Sequence, residues 1–281
     1  MLHLQKIKHM KKLILSLVLL TCPIAFSFGQ LSVSGVTGNN DYSAVRASYN
    51  LSMPLTPLSI TPKFAMYEQA GMDTMYQYGI GANMHVPFYD LLEVGAEAAY
   101  TPKANDYSNY LWDVHAALNI QNLLFRLLPL DELKAGLGYK TIYHTFHATD
   151  TDVTEQDIYM FLYQKTGGLD TRIAFTKALD FSGDKTGTPL WLDVPGFTAV
   201  YQGYLDYSLS VDAGYTYKFI RPYAGYTFIK TDNAPSSDDA RLGLILSVAM
   251  INFNASVEWF NFTQNTADRQ TFFSFTAGVS I

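Results

Sequence analysis

The sequence predicts an all-β fold: a closed antiparallel up-and-down transmembrane β-barrel of about 14 strands, or about 12 if one weak hairpin lies outside the wall. Three observations predict it. From Tyr204 to Phe219 one face reads Leu205, Tyr207, Leu209, Val211, Ala213, Tyr215, Tyr217 and Phe219, against Asp206, Ser208, Ser210, Asp212, Gly214, Thr216 and Lys218. This is the period of a strand, held for about 15 residues where strands of soluble domains have roughly 5 or 6. Past the N-terminal segment, the most apolar run, Leu242 to Ile251, is about 10 residues, half the roughly 20 a spanning helix needs. The same alternation recurs along the chain, and only helices and closed barrels satisfy every backbone polar group in lipid.

The first element is an export signal. His3 to Lys12 carries Lys6, Lys8, Lys11 and Lys12 and no acid, Leu13 to Leu20 is apolar, and Ser27-Phe28-Gly29 precedes Gln30. A basic segment, an apolar core and a small-residue site make a secretory signal peptide, expected to span 1–29 and to be cleaved. Met10 suffices as its start. Cys22, in Leu19-Leu20-Thr21-Cys22, lies in a loose lipoprotein box, with Thr21 where Gly, Ala or Ser is expected. The remaining chain, 30–281, is read as one barrel domain. The signal holds four of the 19 Lys and Arg and none of the 25 Asp and Glu, so its removal takes the formal charge from −6 to about −10. That acidic balance excludes nucleic acid as a partner, which requires clustered basic residues. The single cysteine lies in the signal, which leaves neither a disulfide framework nor a cysteine zinc site.

The strands follow in order. Leu31–Val36 is a short first one. Ser43–Met53 sets Val45, Ala47, Tyr49 and Leu51 against Arg46, Ser48 and Asn50; Pro54–Pro57 is a turn, and Leu58–Gln69 places Lys63 on its polar face. Thr74–Val86 sets Tyr76, Tyr78, Ile80 and Met84 against Gln77, Asn83 and His85. Leu91–Thr101 opposes Leu92, Val94 and Tyr100 to Glu93 and Glu97, and Leu111–Ile120 opposes Trp112, Val114 and Leu118 to Asp113, His115 and Asn119. Gln121–Leu130 breaks the pattern as an amphipathic turn at the membrane surface. Leu133–Phe146 resumes it, with Leu133, Leu137, Tyr139 and Tyr143 opposite Lys134, Lys140 and His144. Asp157–Lys165 and Leu169–Lys177, joined at Gly167-Gly168, form the weak hairpin. The long strand from Tyr204 reverses at Ile220-Arg221-Pro222 into Tyr223–Ile229, and Arg241–Met250, Asn252–Phe262 and Gln270–Ile281 complete the series.

Outer-membrane barrels have short inner turns, longer outer loops and inner termini. Counted back from the C-terminus, the outer joins fall near 263–269, 231–239, 179–200, 147–157, 103–109, 70–73 and 37–42, and the inner ones near 250, 220, 167, 121–130, 88 and 55. Tyr76, Tyr78, Tyr100, Trp112, Tyr143 and Trp259 then mark an outer aromatic girdle, and Tyr215, Tyr217 and Phe219 an inner one. In the last strand Phe273, Phe275, Ala277, Val279 and Ile281 alternate to the end, and Ala277-Gly278-Val279-Ser280 resembles the closing segment of bacterial outer-membrane barrel proteins, with Ile281 where such proteins often end in an aromatic residue. By length and strand count the chain resembles a monomeric porin. The resemblance implies residence in the bacterial outer membrane, contact with its lipid and lipopolysaccharide, and delivery by the barrel-assembly machinery through the C-terminal strand. A soluble β-sandwich is the competing architecture, because alternation does not say which way the apolar face points.

In a barrel the polar faces line the lumen. The candidate pore-lining residues are Arg46, Lys63, Lys134, Lys140 and Arg241, with Arg172 and Lys218 beside them, against Glu93, Glu97, Asp113, Asp206, Asp212 and Glu258, together with His115 and His144. Opposed charges across a water-filled lumen create a transverse field that biases small polar solutes and ions. The expected function is passive diffusion of such solutes, with no cofactor and no catalytic or metal site; loop Leu179–Gly196 is placed to fold in and obstruct the path. One alternative is a surface protein with an adhesive or structural role, using the acidic loops Ala148–Gln156, Leu179–Gly196 and Thr231–Asp239. Another is a barrel-embedded hydrolase using His85, His115, His144 or His147 with Asp150, Asp152 or Asp157. No His-x-Ser segment accompanies these histidines, and His144 and His147, three apart, fall on opposite faces of a regular strand. Gly79-x-Gly81 and Gly136-x-Gly138 lack the strand-to-helix context of a nucleotide loop and read as places of close approach.

Overall fold

In a computed structural model the described residues run from Gly29 to Ser280, apart from positions 40, 54–55, 87–90, 125–126, 128, 186, 188, 192–200, 233–234 and 264–268. The proposed signal through position 28, with Cys22, and the terminal Ile281 lie outside them. Consecutive alternating segments pair antiparallel as β1 (Gly29–Gly38), β2 (Ser43–Ser52), β3 (Leu58–Glu68), β4 (Met75–Val86), β5 (Leu92–Ala104), β6 (Tyr107–Asn119), β7 (Glu132–Phe146), β8 (Thr151–Thr166) and β9 (Leu169–Gly183). Then come β10 (Leu190–Trp191) and β11 (Tyr201–Gln202), a two-stranded ribbon in a loop, and β12 (Tyr204–Tyr215), β13 (Ile220–Asp232), β14 (Ser237–Val248), β15 (Ile251–Phe260) and β16 (Gln270–Ser280). β12 pairs with β9 and β16 closes on β1, so these strands without β10 and β11 form a closed barrel of 14. Closure leaves no open edge, which is what an apolar solvent demands.

The apolar faces point outward. Ile80, Val114, Leu137, Met160, Ile173, Val211, Leu242 and Phe275 are all exposed around the wall, the reverse of a sandwich core. Tyr76, Tyr78, Tyr100, Trp112 and Tyr143 are exposed toward one end, and Tyr215, Tyr217 and Phe219 at the end that carries Gly29 and Ser280. The weak hairpin is part of the wall: β8 and β9 pair with each other and with β7 and β12, which settles 14 strands against 12.

Several expected boundaries move. β5 and β6 run on through the expected outer join at 103–109 and meet at Asn105-Asp106, whose φ values of 53° and 55° make a mirror-image two-residue turn suited to the strand twist. The join expected at 147–157 contracts to 147–150, with Asp150 at φ 52°. The reversal read at Ile220-Arg221-Pro222 lies earlier: Tyr217 and Ile220 exchange backbone hydrogen bonds of 2.8 and 3.0 Å around Lys218, which has φ 56°. Pro222 stands inside β13, paired with Leu244 of β14, and on the β12 side it lies between the Gly214–Tyr223 pair and the Tyr217–Ile220 bridge, where the ladder is interrupted. The surface turn contains α1 (Ile120–Leu123), capped by Asn119, whose side chain accepts from the Asn122 N–H at 3.2 Å.

The register of the long strand also shifts. A bulge between Leu205 and Tyr207 puts two residues opposite one. Leu205 therefore turns inward, packing on Ile142 and Ile229, while Tyr207 stays on the outer face beside Phe175 and Phe228.

An apolar cluster fills the outer end of the barrel from within. Val36, Ala44, Tyr67, Met75, Tyr107, Phe146, Val153, Tyr204 and Phe272 project inward from nine strands and pack with Tyr42 of the β1–β2 turn, each nearly or wholly buried. Tyr42 meets Phe272 edge-on at 5.1 Å and Tyr107 meets Phe146 at 5.6 Å. The loop after β9 comes down on this stopper: Gly187 lies against the Phe146 ring and the Lys185 ammonium sits 3.5 Å from the centre of the Phe181 ring.

The lumen as candidate functional site

Below the stopper many inward positions are polar, and their charged groups mostly pair within a strand or across an intervening one. At the inner mouth the Lys134 Nζ lies 2.7 Å from Glu132, and His85 Nδ1 lies 4.0 Å from Glu93, around a recess of about 450 Å³ that Asn119, Asn122 and Asp131 also line. Midway, Lys63 Nζ donates to Glu97 at 2.5 Å and Arg241 donates to Asp212 at 2.8 Å. Arg221 forks onto Asp170, with its Nε at 2.9 Å and a second, shorter bond from Nη2. His115 has Asp113 on Nδ1 at 2.9 Å and Asn83 on Nε2 at 3.0 Å, and Tyr159 donates to the same Asp113 oxygen at 2.8 Å.

Glycines make these contacts possible. In register, Gly225 stands between Asp212 and Arg241, Gly95 between Asn83 and His115, and Gly138 between His115 and Tyr159. Each intervening strand thus offers no side chain at that point, and a long partner lies flat across it. A methyl group at Gly138 would overlap the Tyr159 ring, and one at Gly243 the Tyr223 ring, whose hydroxyl reaches Asn254 at 3.1 Å. Side chains that would otherwise cross the lumen are laid along its wall. Gly138→Val is therefore expected to expel Tyr159 from Asp113, costing about 1–3 kcal/mol as overpacking does and lowering pore conductance. Unfolding in urea and single-channel recording check the two effects.

Just below the stopper the polar groups are buried. Lys140 and Asp157, directly opposed on β7 and β8, approach to 3.2 Å, with the Asp157 side chain wholly sequestered. Beside them the Asn109 amide donates to the Tyr107 hydroxyl at 3.0 Å, which leaves the Tyr107 proton for His144 Nδ1 at 2.7 Å. His144 Nε2–H in turn points at Glu155 at 3.0 Å. This chain runs in one direction and ends on a carboxylate. Both ring nitrogens of His144 are engaged and the residue is 1% exposed, so it offers no base to a substrate hydroxyl. Glu258 is buried opposite Arg241, with Asp239 buried on the adjacent strand.

Of the sequence candidates, Arg46, Lys63, Glu93, Glu97, Asp113, His115, Lys134, Lys140, His144, Asp212, Arg241 and Glu258 take inward positions, with His144 and Glu258 inside the buried layer and Lys140 at its edge, lining a recess of about 300 Å³. Asp206 departs from expectation. It is the extra residue of the β12 bulge, and its carboxylate pairs with Lys177 beside Tyr207 on the outer face. Lys218 sits in the inner turn, its ammonium 5.3 Å from the Tyr217 ring. Glu155, Asn109, Tyr159, Asp170 and Arg221 also take part in the inner polar network and were not among the candidates. Glu155, Asp157 and Tyr159 share one strand face at spacing two, a signal hidden because the other face of β8 is equally apolar around Ile158 and Met160.

No family model matches the sequence and no curated protein matches it. Solved structures do. The CymD monoaromatic hydrocarbon channel is similar at TM-score 0.55 and 11% identity, over 91% of this chain and 89% of that one. CdiB from Acinetobacter baumannii is similar at TM-score 0.52 and 11% identity, over 90% of this chain and 60% of CdiB. At such identity the likeness shows the fold, a β-barrel of the bacterial outer-membrane type.

Proposed function

We propose that the chain is a porin-like channel of the bacterial outer membrane, passing small polar solutes or ions by passive diffusion. One observation carries the reading. The interior below the stopper is a lumen of ion pairs laid against its wall, with recesses of about 450, 300 and 250 Å³, instead of a packed apolar core. Ion pairs spread around a wet lumen give it a transverse field that favours small polar species. The termini face the periplasm, the C-terminal strand is read by the assembly machinery, the outer face meets lipid and lipopolysaccharide, and the barrel works as a monomer. The stopper narrows the outer end, so openings of the native protein are expected to be small and brief.

Single-channel recording of the refolded chain from Gln30 in a planar bilayer tests this. Discrete current steps that grow with salt are expected. Stable insertion with no steps, in the native protein and in a variant with a reduced stopper alike, would overturn the channel reading.

A further inference from the structure

We propose that the recess lined by β6, β8, β9 and β12, at the lower edge of the buried layer, binds a small zwitterion, with an ammonium and a carboxylate on one short skeleton as in an amino acid or a dipeptide. The inference rests on the channel reading and names a solute class for it. The recess holds about 300 Å³, room for roughly ten waters at about 30 Å³ each. Small residues keep it open. Ala174 of β9 stands in register between Phe161 of β8 and Ser210 of β12, and Thr176 stands opposite Ser208. Tyr159, which would otherwise cross the space, lies over Gly138.

Two opposite charges face this space with bonding capacity left over. The Arg172 guanidinium is exposed to the lumen and forms no ion pair among the described residues. It rests 4.9 Å from the centre of the Phe161 ring, a contact that holds the cation in place without neutralising it. Asp212, its neighbour in register, is already taken by Arg241 at 2.8 Å. Arg172 therefore keeps the planar fork of N–H donors that receives a carboxylate. Asp113 is its counterpart. His115 and Tyr159 both donate to Asp113 Oδ1, at 2.9 and 2.8 Å, so among the described residues Oδ2 keeps its lone pairs for a further donor. The other charges of the lining are engaged elsewhere: Glu97 holds Lys63 at 2.5 Å, and Lys140 holds Asp157 at 3.2 Å. A simple anion drawn to Arg172 would also meet Asp113 and Glu97, and a simple cation drawn to Asp113 would also meet Arg172 and Lys140. A zwitterion satisfies both ends, and the Thr176, Ser208 and Ser210 hydroxyls offer it neutral partners.

The test is equilibrium dialysis of the detergent-purified protein against labelled glycylglycine, with bilayer recording in parallel. N-acetylglycylglycine, which lacks the ammonium, and glycylglycinamide, which lacks the carboxylate, are the controls. One glycylglycine per barrel is expected, bound at least about tenfold more tightly than either capped form, each of which loses a charge-assisted hydrogen bond. Arg172→Gln is expected to remove the preference over the amide and keep that over the acetyl form, and Asp113→Asn to do the reverse. A merely structural disturbance would weaken all three ligands together. Ala174→Leu fills the recess without touching a charge and is expected to weaken glycylglycine at least about tenfold. Heat-modifiable migration on a gel verifies that each variant is folded. Glycylglycine bound no better than its capped forms, or with both preferences intact in Arg172→Gln and in Asp113→Asn, overturns the site. Conductance without glycylglycine binding would sink the site and leave the channel standing; binding without conductance would keep the site and sink the channel.

Discussion

Phe146→Ala is expected to raise the mean single-channel current by about tenfold or more, because a hydrophobic constriction gates by excluding water. Phe146 is the residue on which the outer closure converges. It packs on Tyr107 inside the barrel and takes the descending loop at Gly187 on its other face. Removing its ring opens a gap between wall and loop that water can enter, and the buried polar chain beneath, from Asn109 to Glu155, is ready to hydrate. The cost is a core truncation of about 3–5 kcal/mol. Leu137→Ala serves as the control, since Leu137 is exposed on the lipid face of the same strand. Its current is expected to match the native protein. Equal currents in all three proteins would mean that the stopper does not limit flow.

The second large effect concerns Lys140. Its ammonium lies 3.2 Å from Asp157, and the Asp157 side chain is fully enclosed. Lys140→Met leaves that carboxylate without its cation in a low-dielectric layer, which costs about 3–5 kcal/mol. Urea unfolding in phospholipid vesicles, followed by tryptophan fluorescence, reads the loss. Lys140→Met combined with Asp157→Leu is expected to recover most of it, since replacing both partners of a buried pair by apolar groups is often neutral. Lys177→Met, which breaks the half-exposed pair with Asp206 on the outer face, is expected to cost less than about 1 kcal/mol. A double variant as unstable as Lys140→Met alone would show that packing, not charge, holds this layer.

The barrel was legible because alternation is local: spacing alone puts Val211 and Asp212 on opposite faces, and strand length, the aromatic girdles and the loop asymmetry favour the apolar face as the outer one. What escaped depends on distant residues. Nothing in Leu205-Asp206-Tyr207 announces a bulge, since one inserted residue leaves the hydrophobic pattern intact while inverting its meaning on one side. The hairpin of β8 and β9 looked weak because Tyr159, Phe161 and Tyr163 put aromatic rings on the lumen face as well. Such rings are tolerated there because Gly136 and Gly138 on β7 receive two of them, a match made between strands. Pro222 was taken for a turn, a fair reading of its chemistry, yet it is a strand residue that pairs with Leu244 near the start of β13. The stopper was invisible for a different reason. Tyr67, Tyr107 and Phe272 resemble any other aromatic residues near strand ends, and only closure brings them face to face.

The glycines that receive the inward side chains separate two quantities usually tied together, the circumference of the wall and the calibre of the bore. Circumference follows from strand number and stagger, whereas calibre here depends on which crossings lack a β-carbon. A single added methyl group at Gly95, Gly138 or Gly243 would lift a ring off its bed and into the passage, with no strand gained or lost. The conduit can thus be tightened by small steps at a handful of codons while its seam, its lipid-facing shell and its assembly route stay as they are.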